Sequence, residues 1–89
     1  MVKTVDAFIY RNESLLFACY AVKTSIKVKW LKHAIWNIYS WPEGSYRFQD
    51  VNSDTDLLDI DANLPLSHFT DEDTQTILWQ IRPGPTFKA

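Results

Sequence analysis

The stretch from Ser25 to Val51 constrains the fold more than any other part of the chain, because it reads as a helix, a turn and a strand in succession. Ser25 can cap the first turn of a helix through its hydroxyl group. The apolar residues that share one arc of a helical wheel are Val28, Leu31, Ile35, Ile38 and Tyr39. Pro42 disfavours helix at the residue before it, and Gly44 permits a turn. The pattern predicts a core-facing helix over Ser25–Ser40.

Three further segments have the composition of strands. Tyr46–Val51 alternates aromatic with polar side chains directly after the turn. Thr4–Tyr10 and Leu15–Val22 flank four residues that favour a turn, which predicts a hairpin. Leu15–Val22 is apolar throughout, and this favours a strand covered on both faces with Cys19 as an inert core thiol.

The C-terminal part contains two weaker patterns. Apolar and acidic residues alternate over Leu58–Asp61, which allows a short edge strand. Thr70 with Asp73 three positions later resembles a capping box, and it predicts a C-terminal helix that ends at about Arg82. The β-forming residues between 74 and 79 also permit a strand. We therefore predict one α+β domain over residues 1–89, with an antiparallel sheet of three or four strands, a central helix, a C-terminal helix and a frayed tail from residue 82.

Charge is distributed unevenly along the chain, although the net charge is only −2. Residues 1–49 carry seven Lys and Arg and three acids, whereas residues 50–73 carry eight acids and no Lys or Arg. Such asymmetry predicts a positive and a negative pole. One cysteine, no signal-peptide pattern and no apolar run of membrane-spanning length favour a cytoplasmic protein without membrane contact.

Trp36 lies off the apolar arc of the predicted helix, on a side that also carries basic residues. Aromatic residues with a cationic surround are typical of protein-binding hot spots. The residues that we expect to contact a partner on this side are Lys29, Trp30, Lys32, His33 and Trp36. Two alternatives remain at this point: another element covers Trp36, or the tryptophans stack on nucleic acid. A net charge of −2 disfavours nucleic acid, because such domains are usually basic.

The acidic segment allows two further interpretations. Asp50, Asn52, Asp54, Asp56 and Asp61 fall at calcium-loop spacing, but Thr55 stands where such a loop needs glycine, so a solvated acidic loop is favoured and no metal is assigned. Alternatively, Asp54, Asp56 and Asp59 could imitate phosphate charge. A phage or mobile-element inhibitor could occlude a host enzyme or defence complex in this way.

Catalytic chemistry has little support in the sequence. The only Cys lies in an apolar run, and His33 and His68 have no third group aligned with them. One Cys and two isolated His fall short of a zinc site, and two Gly cannot form a phosphate-cradling loop. We predict neither an enzyme nor a bound cofactor.

The run Ala34–Asp50 (AIWNIYSWPEGSYRFQD) resembles the helix, SW-x-x-G and strand signature of PATAN-type domains in bacterial response regulators. The similarity extends over Leu15–Leu66, with Trp41 and Gly44 at comparable places. It lacks that family's N-terminal strand–helix half, the Gly between strands and the acidic helix ending. The resemblance implies a non-catalytic adaptor or regulatory domain that binds another protein. Separately, burial is incomplete in a domain of this size, so either a partner or a homodimer is expected to cover part of its aromatic surface.

Overall fold

The computed structural model describes residues 3–42, 45–52, 56–57 and 62–83, and these ranges form a mixed sheet with one α-helix. The sheet has four longer strands and one of two residues, in the order β2-β1-β5-β3-β4. The elements in chain order are β1 (Thr4–Arg11), β2 (Ser14–Lys23), α1 (Val28–Tyr39), β3 (Tyr46–Asp50), β4 (Asp56–Leu57), a short 3-10 helix (Leu66–Phe69) and β5 (Thr76–Pro83). The α+β class is confirmed.

The N-terminal hairpin is also confirmed, with a tighter turn than predicted. Arg11 pairs with Ser14, so only Asn12 and Glu13 form the loop. Both have positive φ, 49° and 68°. Two consecutive residues of this kind match the twist of the flanking strands, and asparagine tolerates the conformation well.

The predicted C-terminal helix is wrong, because Thr76–Pro83 is strand β5 at the centre of the sheet. This strand pairs in parallel with β1 and antiparallel with β3. The sheet is therefore mixed, and the prediction of an antiparallel sheet is also wrong. Hydrogen bonding to two neighbouring strands and the burial of Ile77 and Trp79 favour a strand over the helix that the capping-box pattern predicted. The carboxylate of Asp71 instead closes a tight turn, accepting hydrogen bonds from the backbone N–H of Asp73 and the Thr74 hydroxyl, each 2.9 Å.

Helix α1 begins at Val28, three residues later than predicted, and Ser25 is not its cap. The Val28 N–H donates to the carbonyl of Leu64 at 2.9 Å. Lys27, the capping residue, forms an isolated bridge with Pro65 and makes no side-chain capping bond. Backbone contacts with Leu64 and Pro65 therefore stabilise the start of α1 in place of the predicted hydrogen bond from the Ser25 hydroxyl.

The core lies between α1 and one face of the sheet. Phe48 stacks on Trp79 at its centre, with ring centroids 5.3 Å apart. Other members of the core are Val5, Ala7, Ile9, Val22, Val28, Leu31, Ile35, Tyr46, Leu66 and Ile77. Ile38 was expected in this group, but 57% of it is exposed. Ile38 lies in the last turn of α1, where its position on the predicted apolar arc no longer faces the sheet.

Strand β2 forms one edge of the sheet, and the exposure of its side chains shows that it is not covered on both faces as predicted. Leu15 and Tyr20 are more than half exposed, and Cys19 is only partly buried. A bulge breaks the ladder at Ala21, which has a φ of 54° and donates its N–H to the Asp6 carboxylate at 2.9 Å. Bulges of this kind discourage an edge strand from pairing with other chains.

Some predictions fall outside the described residues. These are the edge strand over Leu58–Asp61 and most of the frayed tail. Within the described ranges, no helix has the length and apolar character that crossing a membrane requires.

The tight turn after the 3-10 helix gives a pH prediction. The Thr74 hydroxyl, and then the Asp73 N–H, hold the pKa of Asp71 below its ordinary value of 3.8. Any stability from this group is therefore present above pH 3.8 and is lost as the pH falls through the lowered pKa. We expect Thr74→Val to raise the Asp71 pKa, measured by carboxyl NMR titration. The control Thr76→Val should leave it unchanged, and an unaltered Asp71 pKa in Thr74→Val would refute the assigned cause.

Candidate functional site

The outer side of α1 presents two tryptophans to solvent. Trp30 is 58% exposed and Trp36 is 44% exposed. Lys29 and His33 are also exposed, and on a helical wheel they fall between the two indoles. His33 meets Trp30 edge-on, with ring centroids 6.3 Å apart. We call Lys29, Trp30, His33 and Trp36 the helix surface, and the structure brings these four predicted site residues together.

The helix surface has a consistent electrostatic character. The sequence contains no Asp or Glu between Glu13 and Glu43, and α1 has no acidic residue in its first turn. Lys23 and Lys27 are exposed before the helix begins. Among the described residues of α1 and the segment before it, the charged side chains near the two indoles are therefore cationic.

Lys32 does not belong to this surface, which corrects its predicted exposure. Its side chain is only 3% exposed. The Nζ atom donates to the carbonyl of Tyr46 at 3.3 Å and lies 5.2 Å from the centroid of the Tyr46 ring. The Tyr46 hydroxyl in turn donates to the Lys32 carbonyl at 3.3 Å. Lys32 is placed on the core side because the wheel sets it only about 40° from Val28.

The acidic residues proposed as a second contact region are not described in enough detail to test. Asp54 and Asp59 lie outside the described residues, and only the backbone of Asp56 is described, as the first residue of β4. The inhibitor interpretation therefore stays a prediction.

The calcium interpretation rests on the same segment. Asp50 uses its carboxylate to accept the Asn52 N–H at 2.8 Å, a local turn contact. Asp61 lies outside the described residues. In the part of the chain that the structure describes, no three His, Cys, Asp or Glu side chains are grouped as metal ligands.

Sequence reasoning missed a second aromatic surface, on the sheet face opposite α1. Phe8 pairs with Leu78 of β5 and with Ala18 of β2, and it contacts Tyr20 edge-on at 5.7 Å. Tyr20 is 68% exposed. The hydrogen bond between the side chains of Gln49 and Gln80, 2.9 Å long, lies on this same face. The sequence of β1 does contain a signal for this second surface, because the side chains on both faces of the strand include apolar residues.

Comparison with known proteins adds no relative to this picture. No family model and no curated protein matches the chain. The resemblance to PATAN-type domains therefore stays a prediction based on Ala34–Asp50. The functional argument depends on the geometry of the exposed side chains.

Proposed function

We propose that this chain is a small non-catalytic protein-interaction domain that binds its partner through the helix surface. The observation that supports the proposal is the exposure of Trp30 and Trp36 on one helix. Exposing two indoles to water is unfavourable, and Trp is the residue type most enriched at binding hot spots. A domain that binds a partner and catalyses no reaction serves as a regulatory or adaptor module.

The partner that fits the helix surface is a protein carrying acidic side chains around an apolar contact. Lys29 supplies a positive charge and His33 an imidazole ring beside the indoles. A protein is favoured over nucleic acid because the net charge of the chain is −2. Affinity for a phosphate backbone usually requires a clearly basic domain.

Substitution of Trp36 tests this surface directly. We expect Trp36→Ala to weaken partner binding by about 2 kcal/mol or more, since truncating a central hot-spot indole has effects of this size. Its unfolding free energy should change much less, because the side chain is 44% exposed. Tyr20→Ala is the matched control, as an exposed aromatic on the opposite face of the domain. Equal losses of binding in the two variants, or unfolding of Trp36→Ala, would contradict the proposal.

The partner is to be captured from lysate with tagged protein, with and without nuclease, beside a light-scattering mass of the pure domain. A protein recovered in stoichiometric amount after nuclease treatment, and lost with Trp36→Ala, supports the proposal. Recovery that depends on nucleic acid contradicts it. A dimer whose association is abolished by Trp36→Ala would make the partner a second copy of this chain.

A further inference from the structure

The face of the sheet opposite α1 is covered neither by that helix nor by the 3-10 helix. Leu31 and Ile35 of α1 and Leu66 of the 3-10 helix are all buried in the core, on the other face. Strand β5 nevertheless pairs in parallel with β1 at the centre of the sheet. Parallel strands occur mostly in sheets that are covered on both faces, so a second layer is expected to complete this sheet.

The side chains of this outer face alternate with the core residues of their strands. On β1, β2 and β5 they are Asp6, Phe8, Tyr10, Ala18, Tyr20, Leu78, Gln80 and Arg82. We call these residues the sheet surface. Phe8 lies directly opposite Leu78 and meets the exposed ring of Tyr20 edge-on, 5.7 Å away. The middle of the sheet surface is therefore aromatic and apolar.

Charge is confined to the two ends of the sheet surface. Asp6 lies at one end, and Arg82 lies at the other, with Arg47 opposite it on β3. Because Asp6 pairs with Thr76, six residues before Arg82, the two charges are about 20 Å apart along the strands. The sheet surface can therefore complement the charge of a copy of itself. The helix surface cannot, because it carries Lys29 and no carboxylate.

We propose that the sheet surface binds a second copy of this chain, with the two sheets packed face to face about a two-fold axis. The axis lies in the interface and crosses the strands at the level of Ile9, midway between Asp6 and Arg82. This arrangement places Asp6 of each copy near Arg82 of the other, and Phe8 of each copy over Tyr10 of the other. An axis parallel to the strands would instead bring like charges together, which is unfavourable. The surface is distinct from the helix surface and does not depend on the function proposed for it.

The groups that meet in this arrangement are suited to each other. Asp6 accepts the Ala21 N–H through one oxygen at 2.9 Å, and a carboxylate has acceptor sites on both oxygens. Arg82 is exposed, and a guanidinium can form two parallel hydrogen bonds with a carboxylate. Aromatic rings such as Phe8 and Tyr10 associate favourably in edge-on or offset-stacked geometry.

The size of the sheet predicts a weak dimer. Four strands about 4.8 Å apart and about eight residues long give a face of roughly 500 Å² in each copy. Two such faces bury about 1,000 Å², near the lower limit for a specific interface. We therefore expect a monomer at the low micromolar concentrations of an unfolding experiment and a dimer at higher concentration. The bulge at Ala21 disfavours the other route to self-association, pairing of β2 edge to edge.

Sedimentation equilibrium of the pure full chain from about 10 μM to about 1 mM tests the proposal. We expect a reversible monomer–dimer equilibrium, which Arg82→Glu weakens about tenfold or more because like charges then meet. Adding Asp6→Lys to Arg82→Glu exchanges the two charges and should restore association. Lys29→Glu makes the same change of charge on the helix surface and should leave the dimer intact. Tyr10→Ala, with its fold checked by circular dichroism, should weaken the dimer.

Each other outcome would overturn the proposal. These outcomes are a monomer over the whole concentration range, or equal weakening by Arg82→Glu and Lys29→Glu, which would show a general effect of net charge. Loss of the dimer in Trp36→Ala, with no change in Tyr10→Ala, would assign self-association to the helix surface. If the pure chain is monomeric and Tyr10→Ala abolishes capture of a different protein, the sheet surface binds that protein and not a second copy.

Discussion

Replacing Phe48 with alanine is expected to lower the free energy of unfolding by about 3–5 kcal/mol. Phe48 is fully buried and stacks on Trp79 across the neighbouring strand. It also meets the Tyr46 ring at 5.7 Å. The variant loses the transfer free energy of the ring and leaves a cavity between α1 and the centre of the sheet. Since domains of this kind are stable by about 5–15 kcal/mol, the loss is a large fraction of the total.

Urea unfolding followed by circular dichroism measures the effect. Phe48→Leu keeps most of the volume and should cost clearly less than alanine. Tyr20→Ala, in which a 68% exposed ring is removed, should change stability by no more than about 0.5 kcal/mol. A Phe48→Ala variant as stable as Tyr20→Ala would show that the stacked pair is not the centre of the core.

Lys32 gives the second large effect on the free energy of unfolding, and its size depends on the replacement. Lys32→Ala removes a buried side chain that contacts the Tyr46 and Phe48 rings, and we expect a loss of about 2–4 kcal/mol. Lys32→Met keeps the length and the packing and removes the cost of burying a cation. It should lie within about 1.5 kcal/mol of the natural protein.

The contrast between the two variants separates packing from charge. Lys29→Ala, on the exposed side of the same helix, is the control and should have an effect within about 0.5 kcal/mol. If Lys32→Met is as damaging as Lys32→Ala, the interactions of the ammonium group with the Tyr46 carbonyl and with the two rings dominate over packing. Because Lys32 is buried, Lys32→Met should also leave partner binding unchanged.

Local sequence patterns were sufficient for the elements whose neighbours are close in the chain. The hairpin of β1 and β2, helix α1 and strand β3 follow from alternation, helical periodicity and the proline after Trp41. β5 was missed because its conformation is decided by strands that lie far away in sequence. The acids before it suit either a helix N-terminus or the tight turn that Asp71 forms, and the sequence alone does not choose between them.

In the candidate site, too, features set by neighbours in sequence could be predicted, and features set by distant contacts could not. A helical wheel ranks positions by angle, and it sets Trp36, Lys29 and His33 off the apolar arc, but it leaves open whether another element covers Trp36. Lys32 lies near the boundary between the apolar arc and the polar side of the helix. At such a position a long side chain can bury its aliphatic stem. The Phe8 and Tyr20 contact depends on strand register, which becomes visible only when β1 and β2 are paired.

The parallel pairing of β1 with β5 also has a kinetic consequence. Asp6 lies opposite Thr76, so the middle of the sheet joins residues 70 positions apart. Closing so large a loop precedes any gain from the pair, and topologies rich in distant pairings fold in milliseconds to seconds. During synthesis, the β1–β2 hairpin and α1 leave the ribosome before the strand that completes their sheet. Until β5 emerges, one edge of β1 has no native partner, and this interval is when the nascent chain is most exposed to aggregation or to capture by a chaperone.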